Sequence, residues 1–458
     1  MLTISLNDLA DVICFESVPH HIDAIGEIHA CGVATDSRNV QPGNLFVAFR
    51  GEHVDGHDFV QKAQESGAVA AIVSEKVTNC DLPQFIVSDI LFALASLSKW
   101  WLQQVKPTVI AITGSNGKTT VKNCIRKILA RCHKVHATAG NYNNELGLPL
   151  TILSMSKEAR FCVLEMGAGK PGDIRYLTDI AQPDLAVITS ISSAHLEYFG
   201  CVDEVAKTKA EILEALSSEG LGVIAPGTGY GDIFGQLFTG SKLLVANGVQ
   251  PNTARLTINN RDITIALDGR IYPLEFSLIG NHNLVNAAVA ATIALQLGCT
   301  HQQIIEGLSS VQAERGRLQK LTISDFAVID DTYNANPASM KAGINTLVKC
   351  NAEPWLVMGD MAELGDTEAQ VHSDIGVYAR KAGIKRLYGV GRLSKYSVDA
   401  FGQSGFHFDD HKQLLKILKN DVHADVCALV KGSRSSAMDL VVKGLIATSE
   451  NNKNGGHC

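Results

Sequence analysis

Ala111-Ile112-Thr113-Gly114-Ser115-Asn116-Gly117-Lys118-Thr119-Thr120 is the stretch that decides how the middle of this chain folds. Before it, Thr108-Val109-Ile110-Ala111-Ile112 reads as a buried strand; after it, Val121 to Ala130 reads as a helix. A strand, a glycine loop, Gly-Lys-Thr and a helix in that order form a cradle for a nucleotide triphosphate. Backbone N–H groups of the loop and of the helix N-terminus point at phosphate oxygens, and glycines let the backbone come close enough. The expected nucleotide-binding residues are therefore Gly114, Ser115, Asn116, Gly117, Lys118, Thr119 and Thr120. Lys118 is placed to reach the β/γ-phosphates, and the Thr119 hydroxyl to hold Mg²⁺. The loop is a short form, because the usual motif opens with a glycine where this chain has Ile112.

A chain of 458 residues is long enough for about three domains. Its net charge of −7 argues against a broad nucleic-acid-binding face, which would be basic. No apolar run reaches the roughly 18 residues of a membrane span, and the N-terminus lacks the basic and apolar regions of a signal peptide. The eleven cysteines are scattered singly, without Cys-x-x-Cys spacing, so neither a zinc site nor a disulfide framework is indicated. A cytoplasmic protein is expected, with a monomer as the simplest state. The tail from Asn451 to Gly456 reads as disordered.

Three α/β segments follow from the hydrophobic pattern. Residues 1–85 mix short β-like runs with a helix from Asp58 to Ser66. Residues 86–313 hold the phosphate loop and several short apolar runs, 161–164, 185–188 and 221–224, typical of parallel strands buried on both faces. Around Leu256 to Leu278 the pattern alternates, as in antiparallel hairpins, and a helix from about Asn283 to Leu297 closes the segment. Residues 314–458 restart the βα rhythm with strands at 326–329, 355–358, 386–390 and 426–430, a doubly wound, Rossmann-like pattern.

In open α/β sheets ligands bind beyond the carboxyl ends of the strands. Polar clusters follow strand after strand here. Glu165 ends one strand and can ligate Mg²⁺ on a triphosphate; its bland reading is a solvated strand end. His195 follows another and could ligate a second metal or orient a phosphate, although a lone histidine is more often structural. Lys207 and Lys209 come next, on a helix where lysines usually form a solvated face. The loop Asn141 to Pro149 carries amides suited to a polar substrate, or to turns bonded to their own backbone. Asn281 or Asn283 could be a helix N-cap. Asp330-Asp331 ends a strand, where adjacent carboxylates need exposure, pairing or a ligand. The run 359–365 and Lys431-Gly432-Ser433-Arg434 repeat the pattern.

Taken together these motifs resemble the Mur ligases of peptidoglycan synthesis, over almost the whole chain and in order. The likeness runs from Thr35-Asp36-Ser37-Arg38 and Asp55-Gly56-His57 through the short phosphate loop, Asn143-Asn144-Glu145, Glu165-Met166-Gly167 and Gly280-Asn281-His282-Asn283. It ends with Glu314-Arg315-Gly316-Arg317, Tyr333-Asn334-Ala335-Asn336-Pro337, Gly359-Asp360-Met361-Ala362-Glu363-Leu364-Gly365 and Lys431-Gly432-Ser433-Arg434. The Tyr-Asn-Ala-Asn-Pro run and the run 359–365 resemble the branch that adds a dipeptide. The resemblance implies three domains: an N-terminal UDP-binding unit, a central ATPase unit with a mostly parallel sheet, and a C-terminal Rossmann-like unit. It implies ATP and Mg²⁺ as cofactors, and UDP-MurNAc-tripeptide and D-Ala-D-Ala as substrates joined through an acyl phosphate. On that resemblance Lys118, His195 and Lys209 are catalytic. Thr119, Glu165 and His195 hold metal; Asn281, Asn286, Arg315 and Asp331 approach the nucleotide. Ser37, Arg38, Asn144, Glu145, Asn334 and Asn336 face the other substrates. One lysine is carbamylated in related ligases; spacing favours Lys209, with Lys207 as the alternative. Other amino-acid ligases of this type, folylpolyglutamate synthetases, a small-molecule kinase and a non-catalytic ATP switch are the competing readings.

Overall fold

The computed structural model describes residues 1–13, 28–193, 196–246, 250, 252–259 and 262–454. Its centre is a six-stranded parallel sheet in the order Lys242–Val245, Leu221–Ile224, Leu185–Ile188, Thr108–Thr113, Phe161–Glu165, Val135–Ala137. Alternate residues of Thr108–Thr113 serve two cores. Val109 and Ala111 pack with Leu94, Leu97 and Trp101 of the helix Ile90–Val105, and Ile110 and Ile112 pack with Val121, Ile125 and Ala287. Burial on both faces explains why these strands are apolar throughout. The chain leaves Thr108–Thr113 for one side of the sheet and later returns to its other side. This is the topological switch point where ligands bind in such folds. Register sets Glu165 opposite Ile112 and Ile188 opposite Thr113, so three loops emerge side by side at the carboxyl edge.

Toward the N-terminus a four-stranded parallel sheet (Val33–Ala34, Leu45–Val47, Ala70–Val73, Gln84–Ile86) and an antiparallel pair (Thr3–Ser5 with His29–Cys31) share the core built on Trp101. A three-stranded antiparallel sheet (Ala254–Asn259, Asp262–Leu267, Arg270–Pro273) stands where alternating residues are expected to give hairpins. The C-terminal sheet has the order Gln319–Ile323, Phe326–Asp331, Val426–Lys431, Glu353–Gly359, Arg386–Val390, Gly405–Phe408, with only the first pair antiparallel. Apolar clusters cover both of its faces, and the fully buried Trp355 and Tyr388 rings sit 5.5 Å apart within one of them.

Three local expectations change. The short strands Val135–Ala137, Lys242–Val245, Gln319–Ile323 and Gly405–Phe408 all lie at sheet edges, where mixed burial hides the strand pattern. The helix expected from Asn283 is Asn281–Gln296, with Gly280 as its N-cap, so neither asparagine caps it. The last helix, Asp439–Asn454, continues through residues 451–454, part of the stretch read as a disordered tail.

Trp355→Ala should cost the C-terminal domain about 3–5 kcal/mol. Urea unfolding followed by a probe in that domain reads this directly; a loss below about 1 kcal/mol would mean that the ring is not a core anchor.

Candidate active site

The loop after Thr108–Thr113 lies flat against the segment that follows Leu185–Ile188. Gly114 has φ 146°, and a Cβ there would sit 2.0 Å from the Thr189 hydroxyl oxygen. Ser115 N–H donates to Ser190 O at 2.9 Å, and Asn116 N–H to Ser190 Oγ at 2.8 Å. The Thr189 hydroxyl donates to Asn116 O at 2.6 Å, and Ser192 N–H to Ser115 Oγ at 3.0 Å. Gly117, at φ 86°, presses on Asn286: a Cβ would meet its Oδ1 at 2.6 Å. Gly117 then opens the helix Lys118–Leu129 without a side-chain cap, which leaves the first-turn N–H groups to an anion. Lys118 folds back over the loop, its Nζ donating to Gly114 O at 2.6 Å. Burial pushes its pKa down, against the pull of Glu165.

Glu165 ends its strand only 3% exposed. Its Oε2 accepts from the Thr119 hydroxyl at 2.8 Å and its Oε1 from Asn143 Nδ2 at 3.0 Å. Behind it lies Lys122, a residue with no obvious motif role. Its ammonium is 3.9 Å from Glu165 Oε2 and donates to Thr138 O at 2.7 Å. Burial again lowers the lysine pKa while Glu165 opposes the shift. A hydroxyl and a carboxylate side by side are oxygen donors suited to a hard cation that brings phosphate oxygens and water with it. Among the described residues no three His, Cys, Asp or Glu side chains group as a cage of their own.

The two lysines of the helix Val202–Glu214 differ sharply. Lys207 is exposed and paired with Glu204 at 2.7 Å. Lys209 is buried in the cavity wall, and its pKa falls to about 7. Burial is the main cause, the Lys118 charge adds to it, and Asp173 opposes it. His195 lies outside the described residues.

The C-terminal sheet completes the site. Asp331 is paired with Lys431 at 2.6 Å, and the same ammonium donates to Asn334 O at 2.8 Å. Asp330 is buried and accepts from the Thr332 hydroxyl at 2.6 Å. The two adjacent aspartates are thus both satisfied within the protein. Asn336 caps the helix Pro337–Leu347 and also reaches Asn116 in the phosphate loop. The Arg317 guanidinium lies 3.9 Å from the centre of the Tyr333 ring.

These groups enclose one cavity of about 1180 Å³. Its walls bring together Gly114 to Thr120, Asn144, Glu145, Glu165, Lys209, Asn286, Asp331, Asn334 and Asn336. Other expected site residues lie elsewhere. Asn281 is exposed, near Lys349, and its helix neighbours His282, Asn283 and Asn286 line the cavity instead. Arg315 is exposed and outside the wall, while Arg317 is in it; the turn at Gly316, φ 74°, sends the two side chains apart. Ser37 is buried, and Arg38 is held by Asp36 at 2.6 Å, both away from the cavity. Thr189, Ser190 and Lys122 belong to the site without having been singled out. The hydroxyls directly after the strand 185–188 were the available signal for the first two.

Three family models match the chain: "Mur ligase family, catalytic domain" over residues 28–96, "Mur ligase middle domain" over 112–294, and "Mur ligase, glutamate ligase domain" over 316–434. The chain is 35% identical to the UDP-N-acetylmuramoyl-tripeptide–D-alanyl-D-alanine ligase of Escherichia coli K12, over 97% of this chain and 99% of that one. It is 33% identical to the Bacillus subtilis enzyme of the same name, over 91% and 93%. Among solved structures it resembles MurF from Acinetobacter baumannii (29% identity, TM-score 0.89, 98% and 99% covered). It also resembles MurF ligase from Thermotoga maritima in complex with ADP (29%, TM-score 0.81, 92% and 98%).

Gly114→Ala should weaken binding of ATP with Mg²⁺ by more than about tenfold, because the new Cβ would have to displace Thr189. Calorimetric titration with a non-hydrolysable ATP analogue checks this; undiminished affinity would mean that the loop does not hold the phosphates.

Proposed function

The chain belongs to the Mur ligase family, and we propose that it joins D-alanyl-D-alanine to UDP-N-acetylmuramoyl-tripeptide with ATP as phosphoryl donor. The observation that carries this reading is that one cavity is walled both by the phosphate loop and by the Asn334–Asn336 and Lys431 elements of the C-terminal sheet. An amide ligase needs that juxtaposition, since an activated acyl group must meet an amine before water does.

The chemistry follows from the groups in the wall. The terminal carboxylate oxygen of the tripeptide attacks the γ-phosphorus of ATP and the bond to ADP breaks, leaving an acyl phosphate. The neutral amine of the dipeptide attacks the acyl carbon. The tetrahedral adduct loses phosphate and a proton, and an amide remains. Lys118 and the first-turn N–H groups of its helix hold the phosphates and offset the charge that builds on them. Thr119 and Glu165 are the residues that would hold Mg²⁺, which supplies electrostatic neutralisation of the phosphate oxygens when bound. His195 stands as a further ligand by family resemblance. Asn286 borders the nucleotide, Asn144 and Glu145 the peptide, and Asn334 with Lys431 the incoming dipeptide. Ser37 and Arg38 belong to the UDP end of the substrate, outside the cavity. A monomer is the assembly proposed. The proposed site of action is the cytoplasm; no described helix is long and apolar enough to cross a membrane.

Lys209 is the lysine for carbamylation. Its neutral amine adds to CO₂ and releases a proton, giving an anion among cations. Only the neutral amine reacts, and its pKa is about 7. Bicarbonate-dependent activity should therefore climb as pH rises through about 7. A carbamate signal with ¹³C-bicarbonate should persist in Lys207→Arg and vanish in Lys209→Arg; the reverse pattern would move the role to Lys207.

Phosphate release from ATP with UDP-MurNAc-tripeptide should depend on D-Ala-D-Ala, and mass analysis should give UDP-MurNAc-pentapeptide. Release without the dipeptide and without an amide product would favour a kinase instead.

A further inference from the structure

We propose that Asn336 and Asn116 form a clasp that docks the C-terminal domain on the phosphate loop, so that Asn336 acts as a positioning residue and not as a substrate ligand. Both polar ends of its side chain are engaged within the protein. Asn336 Oδ1 accepts from Ser339 N–H at 2.8 Å, and Ser339 Oγ accepts from Asn336 N–H at 3.0 Å, a reciprocal cap of the helix Pro337–Leu347. The cap settles which end of the amide is which, because only the oxygen can accept from that N–H. The nitrogen is then aimed across the cavity, where it donates to Asn116 Oδ1 at 3.0 Å. Asn116 Nδ2 lies 3.5 Å from Asn336 Oδ1 and donates to Ser192 Oγ at 3.1 Å. Two half-buried amides 220 residues apart in the chain thus meet face to face.

The Asn116 side chain points this way only because its backbone is fastened. Its N–H donates to Ser190 Oγ, and its carbonyl accepts from the Thr189 and Ser190 hydroxyls. Asn116 therefore presents its oxygen to Asn336 only when the loop has the shape that cradles phosphate. Docking of the C-terminal domain reads the state of the loop, and by linkage a docked domain favours the loop form that binds phosphate. The clasp also sets the distance from the phosphates to Asn334 and Lys431, which share its wall.

The inference rests on the ligase reading only in supposing that the loop binds nucleotide, and ADP serves as the probe. Asn336→Ser is the informative variant: serine caps a helix as well as asparagine does but is too short to reach Asn116. Its thermal stability should match the parent. Its ADP affinity should fall about three- to tenfold, the range for one or two exchanged hydrogen bonds. Its small-angle scattering, with and without ADP, should show a larger radius of gyration. Asn116→Ala should do the same, and the double variant should be no weaker than the worse single one. Parent-like scattering and affinity in Asn336→Ser, or fully additive losses in the pair, would overturn the clasp. If the parent itself fails to bind ADP, the nucleotide reading falls, while the scattering comparison without ADP still decides the clasp.

Discussion

The contact between Gly114 and Thr189 governs the geometry of the whole cavity. Strands Thr108–Thr113 and Leu185–Ile188 pair in register up to Thr113 and Ile188, so the loops that leave them start shoulder to shoulder. With no side chain at Gly114, the first loop lies directly on the second. The hydroxyls of Thr189 and Ser190 then satisfy loop backbone groups that would otherwise be orphaned. The loop is stiffened by this stitching, and preorganisation of that kind is what makes hydrogen-bond donors effective against a developing charge.

Charge is arranged around the same contact. The chain carries a net −7, yet Lys118, Lys122 and Arg317 lie close together beside the phosphate loop. Lys118 and Lys122 both draw on one buried carboxylate, Glu165, and burial lowers the pKa of both lysines. A region held short of negative charge suits a polyanion and a carboxylate that must be brought together despite their repulsion. On the wall from the C-terminal sheet Asp331 and Lys431 neutralise one another, with Arg317 and Arg434 beside them in the lining.

The central and C-terminal folds were legible because their inner strands are apolar runs closed by polar clusters, a pattern that burial on both faces imposes. The phosphate loop was legible because its chemistry is local: Gly114, Gly117, Lys118 and Thr119 act within one turn of chain. What stayed hidden is long-range or depends on direction. Nothing near Asn336 announces that its amide meets Asn116. The choice between Arg315 and Arg317 depends on the turn at Gly316, and the entry of Asn286 and not Asn281 depends on where Gly280 starts the helix. Lys122 reads as one more surface lysine until the fold buries it behind Glu165. Edge strands escaped because half-exposed residues carry no clean period.

Amide formation by this ligase depends on activation of the tripeptide carboxylate by the phosphoryl group held on this loop. The most direct measurement is oxygen transfer. UDP-MurNAc-tripeptide labelled with ¹⁸O in its terminal carboxylate would be turned over with ATP, Mg²⁺ and D-Ala-D-Ala, and the released phosphate analysed by mass. An acyl phosphate requires one carboxylate oxygen to leave with the phosphate, so label in the phosphate is the predicted result. Amide formation with unlabelled phosphate would contradict it, because the carboxylate would then never have been joined to phosphorus.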